Sequence, residues 1–329
     1  MRGIGLLRTT SLAGACELLH AADDILIITH QKPDGDALGS AFALLWAVEK
    51  LGKRGRVECS DPFPERYGYF IGDYSPAEFE PGFVVSVDTA SPTLFGSPVE
   101  LWQDKIDLCI DHHRKNTIKA AHLLLNPEIP ATAQIIYMVA KKLGVEICAR
   151  MADAIFTGIT TDTGCFRFSS VTAQTHSIAA NLIDSGADHG RINQLMFETR
   201  PRALVELDKI LLNTMQYHFG GLCAVMVVER DVTEQLGLTE SDLDGISIIP
   251  RRIQGVEVGV VLRENEDKQG FRVSVRTRDK IDASLLCSKL GGGGHKAAAG
   301  CMVEGNIAKA LEGILRAVHE SLKIAGLLE

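Results

Sequence analysis

Ile25-Leu26-Ile27-Ile28-Thr29-His30-Gln31-Lys32-Pro33-Asp34-Gly35-Asp36 opens on a short apolar run and breaks into polar and acidic residues. An alanine- and leucine-rich helical stretch follows from about Ala37 to Leu51, and Gly52 closes it as a helix stop. Similar apolar runs recur at Arg56–Ser60, Phe83–Thr89 and Ile106–His113. Continuous rather than alternating apolarity is expected of strands covered on both faces. Helical patterns follow at about Ala131–Leu143, Arg150–Thr160 and Thr172–Ser185. This alternation predicts an α/β fold, a mostly parallel sheet with flanking helices.

From about Asn193 the rhythm changes. A charged helix, roughly Arg202 to Asn213, reads as a connector. A hairpin is expected around Gly220-Gly221, with later strands at Val256–Glu264 and Phe271–Arg278. These shorter strands predict a smaller α/β domain with its own sheet. The expected division is a first domain over 1–195, a helical connector over 196–214 and a second domain over 215–329, with a cleft between the domains.

A chain of 329 residues suits two domains. Its composition, 46% hydrophobic and 23% charged, is that of a folded protein. No apolar run approaches the ~18 residues of a membrane span, and the opening residues lack a sustained apolar region, so neither a membrane nor an export leader is expected. Eight cysteines are scattered without a CxxC pair, a pattern of reduced thiols in the cytoplasm. The formal net charge of −8 leaves no basic excess for gripping a long duplex, so a nucleic-acid substrate would have to be short.

In an open sheet of this kind, ligands gather at the carboxyl ends of the strands. There the chain places His30 with Asp34 and Asp36, then Asp88, then Asp111-His112-His113, while Asp162 ends the helix begun near Arg150. Singly, each has an ordinary structural explanation: a turn, a helix cap, a surface hydrogen bond, a helix exit. Four such clusters at element ends of one domain make coincidence the weaker account. Crowded carboxylates repel unless cations hold them. Aspartates with imidazoles and no thiolates suit Mn²⁺ or a similar divalent ion, with Mg²⁺ or Co²⁺ as alternatives. The count suits two ions about 3.5–4 Å apart that share one carboxylate and one water.

His30-x-x-Pro-Asp34-x-Asp36-Ala-x-Gly-Ser40, Val87-Asp88, Asp111-His112-His113 and Asp162 resemble, in order, the four motifs of the DHH phosphoesterase superfamily. The resemblance implies that His30 and Asp34 hold one metal and that Asp36, His112 and Asp162 hold the other. It implies that Asp88 bridges the two, that His113 touches the scissile phosphate or the leaving oxygen, and that Asp111 orients a neighbouring histidine or the loop.

Gly291-Gly292-Gly293-Gly294-His295-Lys296 follows an expected helix over Asp282–Leu290 and leads into Ala297-Ala298-Ala299-Gly300. Consecutive glycines expose backbone N–H groups, which can form an anion-binding nest at a following helix start. A flexible linker is the ordinary alternative; a compact alanine helix directly after it favours the binding loop. The stretch resembles the DHHA1 domain, whose glycine-histidine loop contacts the nucleotide, and this assigns Gly292, Gly293, Gly294 and His295 to substrate. Alternation along the later strand puts Arg272, Arg276 and Arg278 on one face, and the family pattern selects Arg276 for the substrate, with Arg278 less certain.

Together the motifs imply the compact nanoRNase and 3′-phosphoadenosine 5′-phosphate phosphatase branch. The expected enzyme is a two-metal exonuclease on oligoribonucleotides of about two to five nucleotides, releasing nucleoside 5′-monophosphates, with a homodimer allowed. Alternatives are a linear or cyclic dinucleotide phosphodiesterase, a RecJ-like exonuclease, and a nucleotide-binding regulator without catalysis. Family II pyrophosphatase is disfavoured by the glycine-histidine loop. A dinucleotide-dependent oxidoreductase is weaker still, because Asp34 and Asp36 would repel a pyrophosphate. Arg167 is a candidate for reaching a substrate phosphate, whereas His176 is read as a helix-capping residue. His20, His122, His218 and His319 are assigned no role.

Overall fold

The computed structural model describes residues 8–240, 242–243, 245–265, 267 and 269–329; residues 1–7, part of the segment expected to lack an export leader, lie outside the described residues. By contact the chain divides into Met1–Thr199 and Arg200–Glu329.

In the first unit, chain order runs β1 (Arg8–Thr9), α1 (Leu12–Ala21), β2 (Ile25–Ile28), α2 (Gly35–Lys50), β3 (Gly55–Glu58), α3 (Gly68–Ile71) and β4 (Phe83–Val87). It continues through β5 (Ile106–Asp111), β6 (Ala120–Leu125), α4 (Thr132–Lys142), α5 (Ala149–Asp162), α6 (Ala173–Asp184) and α7 (His189–Asn193). The six strands lie in the order β1-β6-β5-β4-β2-β3, with every pairing parallel. All four residues of β2 are buried, and the strand alternation divides them between two cores. Ile25 and Ile27 pack into the larger one with residues of α1, α2, α4 and α5. Leu26 and Ile28 enter the smaller one, with Phe95, Val99, Ile118 and Trp102. Those four residues lie between strands, Phe95, Val99 and Trp102 in the β4–β5 connection and Ile118 in the β5–β6 connection. Each aliphatic side chain so buried contributes roughly 1.5–3 kcal/mol.

Close approach of three helices sets the floor of the site. A Cβ on Gly158 of α5 would lie 2.5 Å from the Cβ of Ala133 and 2.8 Å from Asp36 Oδ1. Only glycine lets α5 lie this near the first turns of α2 and α4.

The second unit holds α8 (Arg202–Asn213), β7 (Gln216–His218), β8 (Cys223–Val228), α9 (Arg230–Gln235), β9 (Val258–Glu264), β10 (Gly270–Thr277), α10 (Ala283–Ser288), β11 (Gly293–His295), β12 (Ala298–Glu304) and α11 (Ile307–Ile324). Its sheet order is β11-β12-β10-β9-β8-β7, antiparallel except for the β8–β9 pair. One face carries α10 and α11 over Val258, Val260, Val273 and Val275. On the other, Leu207 and Leu211 of α8 are buried with Met226, Val228 and Val261. The helix read as a connector thus also covers this sheet.

Ala297–Gly300 does not begin a helix; β11 and β12 form a hairpin whose second strand pairs with β10. Alanine favours helix in isolation, but these small side chains are selected by packing. A Cβ on Gly292 would meet the Gly300 carbonyl oxygen at 2.2 Å and the Cys301 Cβ at 2.4 Å. The glycine run is therefore a tight strand edge, and no helix N-terminus follows it.

Candidate functional site

Parallel strands deliver their carboxyl ends to one edge of the first sheet, and the expected ligands assemble there. Asp34 caps α2, its Oδ1 accepting from the amides of Asp36 and Ala37 at 3.0 Å each. Asp36, in the first turn of α2, is fully buried and accepts from the first amides of α4: Thr132 N at 2.6 Å and Ala133 N at 2.8 Å. Asp88 follows β4 with φ +51°, a left-handed conformation that aspartate tolerates better than most residues, and turns its carboxylate back to accept from Thr132 Oγ1 at 2.9 Å.

Three sets of side chains each place their donor atoms within 4.8 Å of one another: His30, Asp34 and Asp88; Asp36, His112 and Asp162; and Asp88, His112 and His113. Asp88 and His112 each belong to two sets. Eight residues were singled out in this unit from the sequence, and seven of them form the cluster. The eighth, Asp111, supports it: fully buried, it accepts from the His112 amide at 2.9 Å, His113 Nδ1 at 2.8 Å and Asn116 Nδ2 at 2.7 Å.

Whether these residues suit a metal is decided by their protons. His30 Nδ1 faces the Gln31 carbonyl at 2.8 Å and His112 Nδ1 faces the Ile129 carbonyl at 3.2 Å. A carbonyl only accepts, so the proton sits on Nδ1 and the Nε2 lone pair is free. Yet His112 Nε2 points at carboxylate oxygens of Asp162 at 3.2 Å and Asp88 at 3.6 Å. Acceptors facing acceptors repel, and a cation among them removes the conflict. The carboxyls say the same. Burial, then Asp88 and Asp34, push Asp36 well above the usual carboxylate range; burial, then Asp34 and Asp162, do so for Asp88. Burial, then Asp36 and Asp34, push Asp162 to about 8. Burial and neighbouring His113 lower His112, while the hydrogen bond that His113 donates to Asp111 raises His113. The oxygen and imidazole donors fit hard or borderline divalent ions.

In the second unit, Arg272, Arg276, Gly291–Gly294 and Met302 line a hollow of about 590 Å³ on the face of β10 and β12. Burial and nearby Arg251 lower the Arg276 guanidinium, which marks uncompensated positive charge. Gly292–Gly294 lie beside it and His295 ends β11. Arg278 lies beyond β10 and donates to the carbonyls of Val256 at 2.8 Å and Arg251 at 3.2 Å, so it braces the sheet. Arg167 turns back onto the Gly164 carbonyl. His176 caps nothing; the α6 cap is Thr172, and the His176 ring stacks on Phe166 with centroids 5.4 Å apart.

Sequence reasoning missed Thr132, which ties Asp36 to Asp88, and Asn116, which holds Asp111. The one signal for Thr132 was its place at the head of an amphipathic helix following Pro130.

A parallel sheet with buried aspartates and imidazoles converging on its carboxyl edge defines a metal-dependent hydrolase of phosphate esters. The chain belongs to the DHH family of phosphoesterases: the DHH family N-terminal domain matches residues 24–159 and the DHHA1 domain matches residues 222–323. It is 37% identical, over 95% of its length and 94% of the relative's, to the bifunctional oligoribonuclease and PAP phosphatase NrnA of Thermus thermophilus. It is 25% identical, over 85% of its length and 90% of the relative's, to the protein of the same description from Bacillus subtilis. Its fold is similar to that of an exopolyphosphatase-related protein from Bacteroides fragilis, with TM-score 0.86 at 22% identity over 96% of this chain and 97% of that one. No described helix is long and apolar enough to cross a membrane.

Proposed function

We propose that the chain is a two-metal phosphodiesterase that hydrolyses oligoribonucleotides of a few residues to nucleoside 5′-monophosphates and removes the 3′-phosphate of 3′-phosphoadenosine 5′-phosphate. The observation that carries the reading is the place of Asp88, grouped with His30 and Asp34 and also with His112, which itself joins Asp36 and Asp162; this suits a carboxylate between two ions. Likeness to the Thermus oligoribonuclease and PAP phosphatase along nearly the whole chain supports the substrate class. His30 and Asp34 would hold one divalent ion, Mn²⁺ in this reading, Asp36, His112 and Asp162 would hold the other, and Asp88 would serve both. Such ions acidify water and neutralise charge on a phosphoryl group.

The chain's own residues supply the rest. Asp111 holds His113 by Nδ1, leaving Nε2 to donate to the scissile phosphate or to the 3′ oxygen as it leaves. Asn116 locks Asp111 in that position. In the second unit Arg276, the backbone of Gly293 and Gly294 and His295 hold a nucleotide's phosphate, with Gly292 shaping the loop through its amide on the Cys287 carbonyl at 2.9 Å. We further place the reaction in the cytoplasm, in keeping with eight free cysteines.

The test is hydrolysis of 5′-phosphorylated RNA from two nucleotides to about two dozen, beside 3′-phosphoadenosine 5′-phosphate and a cyclic dinucleotide, in Mn²⁺ and in EDTA, with Asp88→Ala as control. Metal-dependent loss of the shortest strands and of the bisphosphate, absent in the variant, supports the reading. Turnover of only the cyclic compound or of long strands would replace it.

A further inference from the structure

Register along the face of the second sheet opposite α10 and α11 lays side chains in three rows. His295, Ala298 and Arg276 are successive partners across β11, β12 and β10, and so share a row. Gly293, Gly300 and Ser274 make the next. Met302, Arg272 and, on β9, Arg263 make the third. The middle row is nearly without side chains, so it forms the floor of the hollow, with Arg276 and Ala298 on one side and Arg272 and Met302 on the other. Arg276 and Arg272 stand four residues apart on one strand, ~13 Å at about 3.3 Å per residue.

The third row has features that the sheet itself does not need. Arg272 sits directly opposite Arg263, and like charges in that position destabilise a sheet. Arg263 has Glu240 at 3.5 Å, but among the described residues no carboxylate partners Arg272. Met302, beside it, is 57% exposed. An unpaired guanidinium next to an exposed thioether, on the wall facing a phosphate-binding row, fits a second phosphate and a second base.

We propose that Arg272 and Met302 form a second-nucleotide subsite: Arg272 takes the next phosphate of an oligonucleotide and the Met302 side chain supports the next base. This rests on the reading that the Arg276 row holds a nucleotide. A bisphosphate of one nucleoside has no second nucleotide and does not reach this wall. Arg272 and Met302 therefore set preference by chain length.

The test compares kcat/KM for a 5′-phosphorylated RNA trinucleotide and for 3′-phosphoadenosine 5′-phosphate in the wild type, Arg272→Ala, Arg272→Lys and Met302→Ala, each with Mn²⁺. Arg272→Ala should lower the trinucleotide-to-bisphosphate ratio about tenfold, through KM rather than kcat. The salt dependence of trinucleotide KM should lose about 0.7 in log–log slope, the share of one phosphate on a single strand. Arg272→Lys should recover part of the ratio, and Met302→Ala should lower it severalfold without touching the slope. An unchanged ratio in both alanine variants, with their melting temperatures intact, overturns the subsite alone. A wild type that hydrolyses neither compound overturns the underlying reading and the subsite with it.

Discussion

Thr132 donates its backbone amide to Asp36 at 2.6 Å and its hydroxyl to Asp88 at 2.9 Å. One residue at the head of α4 therefore fixes the spacing of two carboxylates that come from different strand ends. Thr132→Val keeps the amide and the volume but removes the hydroxyl. Outer partners of metal ligands are typically worth 10–100-fold in affinity, so Mn²⁺ binding, followed by titration calorimetry, should weaken by about that factor. Unchanged affinity would reduce Thr132 to a helix-packing residue.

Asp88→Asn should separate catalysis from folding. The amide preserves shape and can still accept from Thr132, but it no longer supplies a charge to share between ions. Turnover should fall by at least about 10²-fold, the equivalent of roughly 3 kcal/mol of transition-state stabilisation. The metal-free variant should melt higher than the metal-free wild type, since a charge crowded by Asp34, Asp162 and Asp111 is gone.

The pH dependence of the metal-free protein has a fixed sign. The Asp162 carboxyl lies near 3.8 in an ordinary setting and about 8 in the fold. Below about pH 4 both folded and unfolded chains are protonated there and no penalty exists. Between about pH 4 and pH 8 the unfolded chain releases a proton that the folded one keeps, so stability falls as pH rises. Asp36 and Asp88 add in the same direction. Thermal melts in EDTA should show the decline, and saturating Mn²⁺ should remove most of it above pH 7 by binding only the folded form.

Gly292→Ala tests the hairpin that replaced the expected helix. Its new methyl would enter the Gly300 carbonyl oxygen at 2.2 Å. Strain of about 1–3 kcal/mol should appear in the urea transition of the second unit, together with a raised KM. An alanine tolerated without loss would mean that the glycines serve only the ligand.

The catalytic unit was largely legible because its signals are local. A buried parallel strand reads as a continuous apolar run, and His30, Asp88 and Asp111 mark where each run stops. Legibility failed where packing overrules local preference. Ala298 and Ala299 favour helix alone, yet β12 needs small side chains beneath Gly292 and Gly294. Ala120–Leu125 contains no β-branched residue, and nothing in AAHLLL announces the strand β6. Thr132 acts through Asp88 and Asp36, 44 and 96 residues away, where sequence carries no pattern, and Asn116 acts through Asp111 from a segment without helix or strand period.

The donors extend from His30 in the first strand–helix turn to Asp162 at the end of α5, so the set of Asp36, His112 and Asp162 is the last to be completed along the chain. A growing polypeptide cannot assemble that set until α5 has been synthesised and folded onto the sheet. Metal capture thus acts as an inspection of the finished unit: truncated or misthreaded chains fail it, and the ions stay with molecules ready to use them.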